Sequence, residues 1–429
     1  MQQTIKVALL GLGTVGRGVY RILTGNAVNI AHKVGAPVEI SRILVRDLTR
    51  DRGILLDPAL LTDNYQDILD DPEIDIVVEV MGGIHPALDY VMAALKRGKS
   101  VVTANKDMIA LHGKELFAAA EASGAGLLFE GSVAGGIPII RPLKQCLAAN
   151  RIQEIMGIIN GTTNYMLSKM TREGVDFDRA LREAQAKGYA EADPTADVEG
   201  LDAARKLAIL ASIAFNSRVT LNDVYVEGIS KITARDIAYA RELNYVIKLL
   251  AIAKETSEGI EVRVHPTMIP QNHPLASVND VFNAIFVRGD AVGDTMFYGR
   301  GAGELPTGSA VAADIMDAAR HIIHKVPGFI GCTCYEEKPI KPMALTESKF
   351  YIRLMVADRP GVLASIAYAF GDKEVSLASV IQKHTDGDRA EIVMVTHRVR
   401  EQNLQDALHL VECLSPVDRI ANCIRVEGE

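Results

Sequence analysis

Apolar residues fall into two alternating rhythms over the first 130 positions. Continuous, β-branched apolar runs at 5–10, 38–45, 74–80, 100–103 and 126–130 predict strands, because a strand covered on both faces needs no polar alternation. Between them, 87–97 and 108–123 place apolar residues three and four apart, the spacing that lines one face of a helix. Strands interleaved with helices predict a doubly wound parallel sheet of the Rossmann type over 1–130, and an α/β class for the chain.

After position 130 the rhythm changes. Helical segments at 165–170, 177–187 and 198–214 lead into strands at 246–253, 260–264 and 284–288, which predicts an α+β domain over 131–306 with a sheet of its own. One further helix, 307–324, is expected to pack back on the first domain. Lys338-Pro339-Ile340-Lys341-Pro342 then predicts a linker over 336–349, since proline stiffens the chain and cannot donate to a ladder. The remainder reads strand 350–357, helix 361–370, strands 376–384 and 389–397, helix 401–412 and strand 417–426. That order is a ferredoxin-like βαββαβ unit over 350–429.

Composition narrows the partners. With 46 Lys plus Arg against 54 Asp plus Glu the formal charge is −8, and the basic residues form no block, so a phosphate backbone or anionic membrane is not an expected partner. No uncharged apolar run approaches the roughly 18 residues of a membrane span, and the expected location is cytoplasmic. Five scattered cysteines suit reduced thiols better than a disulfide framework.

The clearest chemical motif is Gly11-Leu12-Gly13-Thr14-Val15-Gly16, directly after the first strand and opening a helix. One glycine serves the tight turn, one lets the backbone approach a pyrophosphate, and one allows close helix–sheet packing. At the end of the second strand, Arg46 favours the 2′-phosphate of NADP, while Asp47 keeps NAD open and both could be solvated loop charges. Further on, Glu191, Asp193, Asp197, Glu199 and Asp202 precede Arg205 and Lys206. Asp197 could simply cap the next helix, and Asp202 with Lys206, at i and i+4, could be a surface pair. The functional alternative surrounds a substrate ammonium with acids and gives Lys206 the proton that a carbonyl needs as hydride arrives.

Taken in series, Gly11–Gly16, Thr103-Ala104-Asn105-Lys106, 130–138, Asn160-Gly161-Thr162-Thr163-Asn164, 188–206 and 301–307 closely resemble homoserine dehydrogenase over about the first 325 residues. The tail, with Asp358-Arg359-Pro360-Gly361-Val362-Leu363 at its first turn, resembles an ACT domain. The resemblance implies reversible NAD(P)-dependent conversion of L-aspartate 4-semialdehyde to L-homoserine, in the biosynthesis of threonine, methionine and isoleucine. Lys206 is then the acid/base, and Glu191 and Asp202 hold the substrate with Asp197 in support. The glycine motif with Thr14 and Val15, Arg46, Thr103, Lys106 and Gly303 serves NADP or NAD. It also implies a monovalent cation, sodium, held by the Glu130 carboxylate and the carbonyls of Val133, Gly135 and Ile137. Feedback control by threonine at the tail is implied too, with Asp358 and Gly361 as effector contacts, as is a homodimer or homotetramer. Deletion of 343–429 would then leave activity while abolishing threonine inhibition.

Other readings are an NADP-dependent reductase of a different amino-acid semialdehyde, and a non-catalytic amino-acid sensor. The second lacks support, because Lys106, Glu191, Asp202 and Lys206 are all present. His321, His324, Cys332 and Cys334 could be drawn as a zinc cluster, but Cys-x-Cys is not the usual ligand spacing.

Overall fold

A computed structural model describes residues 4–325 and 331–428. The chain divides into two compact units, one of 1–153, 205–223 and 283–338 and the other of 154–204, 224–282 and 339–429.

The first unit carries a six-stranded sheet in the order β3-β2-β1-β4-β5-β6, from β1 (Ile5–Leu10), β2 (Val38–Leu44), β3 (Leu61–Thr62), β4 (Ile74–Glu79), β5 (Ser100–Thr103) and β6 (Leu127–Leu128). Every pairing is parallel. Ile5, Val7, Ala8, Leu9 and Leu10 of β1 are fully buried, as the continuous apolar run requires of a central strand. Two strands keep their expected bounds, but 126–130 shrinks to Leu127–Leu128 because the chain turns at once into a 3-10 turn, Glu130–Ser132. The expected helix 307–324 begins earlier, as Glu304–His324, and packs on Thr14–Gly25. A Cβ on Gly18 would lie 1.9 Å from the Glu304 carbonyl oxygen, so only glycine permits this crossing. Arg17 and Arg21 both pair with Glu304 across it.

In the second unit the strands are β7 (Ile152–Ile158), β8 (Tyr225–Val226), β9 (Tyr245–Thr256), β10 (Gly259–Pro270), β13 (Glu347–Ala357), β14 (Leu377–Asp386), β15 (Arg389–Thr396), β16 (Val399–Arg400) and β17 (Val417–Val426). Between β10 and β13 in sequence lie β11 (Phe282–Gly289) and β12 (Gly293–Arg300), a neighbouring pair. The second unit's sheet runs β7-β9-β10-β17-β13-β15-β14. The βαββαβ tail is present, with helices Val362–Asp372 and Glu401–Glu412, but it is not separate. Its last strand joins β10 in parallel, Thr267 opposite Arg425 and Met268 opposite Val426.

The expected linker needs the same correction. Ile260 donates to the Pro339 carbonyl and Lys341 donates back to the Ile260 carbonyl, while the Lys341 ammonium pairs with Glu258 and Glu261. Proline excludes a long ladder, but these few free backbone groups suffice to tie the segment to β10. The expected helix 198–214 is also divided. A short helical turn, Thr195–Val198, is followed by Gly200 at φ +80, and the main helix is Leu201–Ala214.

Candidate functional site

At the carboxyl edge of the first sheet lies a cleft of about 710 Å³, lined by Gly11, Gly13, Thr14, Arg17, Arg46, Asp47, Arg50 and Arg52, among others. Gly11 has φ +104, and a Cβ on Gly16 would sit 2.3 Å from the Gly11 carbonyl oxygen. An added Cβ on Gly13, by contrast, meets no protein atom within 4 Å, so the room there faces the cleft. The two clashing positions make the turn, and the open one leaves the helix N-terminus accessible to a pyrophosphate.

The two charges at the end of β2 do different things. The Asp47 carboxylate accepts from the Thr49 N–H and hydroxyl and from the Arg50 N–H, bonds that lower its pKa. It is folded into its own turn. The Arg52 guanidinium donates to the Asp47 and Arg50 carbonyls, and Arg17 donates to the Arg52 carbonyl. Four arginines thus border the cleft where the sequence offered Arg46 alone.

At the end of β5, Thr103 donates to the Glu79 carboxylate at 2.6 Å and accepts from the Asn105 N–H. Glu79 is fully buried and also accepts from the N–H groups of Met81 and Gly82. Asn105 donates to the Gly83 carbonyl and caps the helix Lys106–Ser123 by accepting from Met108. Lys106 is therefore the first residue of a firmly capped helix. Asp107, next to it, pairs with Arg205 at 3.0 Å, which ties this helix start to the helix that carries Lys206.

The acidic cluster is organised by a residue that the sequence reading quoted within a motif but gave no role. Asn160 donates to Asp197 at 2.7 Å and to Asp202 at 3.0 Å through one amide nitrogen. Its amide oxygen caps the helix Gly161–Glu173 by accepting from Thr163. Asp197 is thus not the helix cap that was one of its expected roles; Gly200 separates it from the long helix. Asp202 is buried in that helix's first turn, one turn before Lys206. Glu191 is exposed, and its carbonyl accepts from Gln185. The signal for Asn160 lay in its own motif, since asparagine before Gly-Thr-Thr is a strong helix start.

The loop after β6 is organised around Glu130. Its carboxylate accepts three backbone N–H groups, from Ile139 and Ile140 on one oxygen and from Arg141 on the other. These three bonds fix the carboxylate on the chain that follows it. Ala134 and Gly135 have φ +57 and +52, and a Cβ on Gly135 would lie 2.3 Å from the Gly301 carbonyl oxygen. Gly136 donates to the Arg300 carbonyl, so this loop abuts the segment that leads to Gly303, itself at φ +136. Beneath it Asp314 accepts from the Glu130 N–H and pairs with Arg141 at 2.8 Å. Full burial, then the neighbouring Glu130 charge, pushes Asp314 up to about 7.

Among the described residues no group of three or more His, Cys, Asp and Glu is placed to hold a metal, so the zinc reading lapses. Among the described residues no helix is long and apolar enough to cross a membrane. In the tail, Asp358 donates its N–H to the Asp388 carbonyl and accepts from Gln382, and Gly361 at φ +88 precedes the helix Val362–Asp372.

A homoserine dehydrogenase family model matches residues 138–316, a homoserine dehydrogenase NAD-binding-domain model matches 11–130, and an ACT-domain model matches 350–409. The chain is 48% identical to the homoserine dehydrogenase of Synechocystis sp. over 433 residues, 99% of both chains. The crystal structure of a homoserine dehydrogenase from Thiobacillus denitrificans is 46% identical, with a TM-score of 0.94 over 100% of this chain and 99% of that one. A hyperthermophilic archaeal homoserine dehydrogenase in complex with NADPH is 27% identical, with a TM-score of 0.64 over 76% of this chain and 99% of that one.

Proposed function

This chain belongs to the homoserine dehydrogenase family, and on that premise we propose which of its residues carry the family's reaction, the NAD(P)-dependent interconversion of L-homoserine and L-aspartate 4-semialdehyde. The observation that carries the assignment is the Asn160 bridge, which holds Asp197 and Asp202 at the start of the helix bearing Lys206.

When bound, the nicotinamide cofactor supplies or accepts the hydride. Lys206 gives its proton to the carbonyl oxygen during reduction and recovers it during oxidation. Asp202 and Glu191 take the substrate's ammonium, and Asp197 balances the charge at the shared amide. Lys106, at the capped start of its helix, faces the reacting end with Thr103, whose hydroxyl is fixed by Glu79. Gly303 closes the segment over the cofactor. Thr14, Val15 and the glycines present the helix N-terminus to the pyrophosphate.

NADP is the preferred cofactor. Asp47 is folded into its own turn, whereas Arg46, Arg50 and Arg52 line the cleft and suit a 2′-phosphate. A monovalent cation, sodium, is held by the Glu130 carboxylate and the carbonyls of Val133, Gly135 and Ile137, hard oxygen donors in a loop whose shape Glu130 also secures by its three N–H contacts. Threonine binds the tail near Asp358 and Gly361, and the enzyme works in the cytoplasm as a homodimer or homotetramer.

Lys206→Ala tests the central role. NADPH-dependent reduction of aspartate semialdehyde is expected to lose about 10²- to 10⁴-fold in kcat with NADPH affinity unchanged. Turnover close to that of the parent would end the assignment.

A further inference from the structure

A second pocket in the first unit is lined by Ile109, Phe117, Phe129, Lys144, Arg218, Cys332 and Cys334 together with residues of the helix Leu201–Ala214. We propose that Cys332 and Cys334 form a peroxide-reactive thiol pair whose closure to a disulfide slows the dehydrogenase reaction.

Three observations lead there. First, the two sulfurs belong to one short turn, with Tyr335 donating to the Thr333 carbonyl, and Cys332 is exposed while Cys334 is half-buried. Second, the surroundings are cationic: Arg218 and Lys144 line the pocket, and the Lys144 ammonium donates to the Gly331 carbonyl and lies 5.1 Å from the ring centres of both Phe117 and Phe129. Hydrogen bonding from the Cys334 thiol, with help from its N–H and the charges of Lys144 and Arg218, holds Cys332 down at about 6, while the same contact and burial push Cys334 up. The pair is divided into a nucleophilic thiolate and a protonated resolving thiol.

Third, the pocket wall belongs to catalytic elements. Ile109, Ala110, Gly113 and Phe117 come from the helix begun by Lys106, and Ala208, Ile209, Ser212 and Ile213 from the helix that presents Lys206. The Cys334 thiol reaches the Ser212 carbonyl, Glu336 donates to the Asn216 carbonyl and the Lys338 ammonium to the Phe215 carbonyl. The segment carrying the thiols is thus bonded across the end of the Lys206 helix.

The chemistry balances with a hydroperoxide as oxidant. The Cys332 thiolate attacks one peroxide oxygen; an S–O bond forms, the O–O bond breaks, and the departing oxygen takes a proton and leaves as water or alcohol. The Cys334 sulfur then attacks the sulfenic acid; an S–S bond forms, the S–O bond breaks, and water leaves with the Cys334 proton. The thiols lose two electrons, which the peroxide gains. Drawing the two sulfurs together moves the Ser212 contact and shifts the helix that positions Lys206.

This effect on rate rests on the proposed role of Lys206, so oxidation is read separately from activity. The reduced full-length protein is first assayed with homoserine, then treated with hydrogen peroxide, digested without reductant and weighed. The expected result is loss of two hydrogens on the 332–334 peptide, a fall in kcat of about tenfold, and recovery with a dithiol reductant. Cys334→Ser should stop at a sulfenic acid trapped on Cys332, and Cys332→Ser should keep full activity under peroxide. Oxidation confined to the exposed Cys146 and Cys413, or a 332–334 disulfide at undiminished kcat, overturns the proposal.

Discussion

At the scale of single residues, the site depends on groups that satisfy one another. Asn160 spends its amide nitrogen on two carboxylates and its oxygen on a helix cap. Asn160→Ala would leave Asp197 and Asp202 to repel each other without a shared donor. A hydrogen bond to a charged group is worth about 1.5–3 kcal/mol, so kcat/KM for homoserine should fall at least about tenfold while the KM for NADPH stays put. Steady-state kinetics with each substrate varied would check it. Asp314 gives a pH signature. It titrates near 7 in the folded chain against an ordinary 3.8, so the native state holds the extra proton between those values. Its stabilising effect is fully present below the ordinary value and is lost as pH rises through 7, about 4 kcal/mol across the window. Asp314→Asn should flatten that slope in denaturant titrations at several pH values, with Arg141 still paired to Asp317. Charges that stand in a recognisable motif, such as Asp202 and Lys206, were legible in the sequence. Glu79 and Asp314 were not, and Asn160 stood out only as part of a motif, because their partners lie 24 to 184 positions away, which no local spacing reveals.

At the scale of elements, periodicity located the buried strands of the first sheet well because their pattern depends only on burial. It missed β7, although that strand is almost wholly buried, and β12, whose face alternates between exposed and half-buried, and it placed one helix straight through Gly200. Two glycines of the first helix and the turn before it offer a paired test. Gly18→Ala puts a Cβ into the Glu304 backbone and should lower stability by roughly 1–3 kcal/mol, seen as a reduced Tm. Gly13→Ala meets no protein atom and should leave Tm nearly unchanged, but it should raise the KM for NADPH by obstructing the pyrophosphate. Equal losses of Tm in both variants would show that the turn is only structural.

At the scale of the whole chain, the order of strands in the tail was legible but its attachment was not. A ferredoxin-like order looks complete in itself, and nothing in its pattern marks β17 as a strand that also pairs with β10. Side chains deepen the join. Arg263 on β10, only 1% exposed, pairs with Glu427 at 2.7 Å and donates to Ser348, and Lys254 on β9 reaches the same Glu427. Arg425 pairs with Glu227 and Glu401. Deleting 343–429 would take Glu427 and Ser348 from Arg263, leave it with Glu261 alone and open the β10 edge. The truncated chain should therefore aggregate or unfold at lower temperature, rather than behave as a simply desensitised enzyme as the sequence suggested. A substitution at the turn is the cleaner probe: Asp358→Ala should preserve basal kcat and weaken inhibition by added threonine.

The shared β10–β17 ladder also bears on how such a tail can be exchanged between relatives. A segment joined only by a flexible tether can be recombined freely, like a bead restrung on another thread. Here any graft must bring an anion to meet Arg263 and Lys254 and a strand in register with Thr267 and Met268, so donor and recipient have to be matched at the seam.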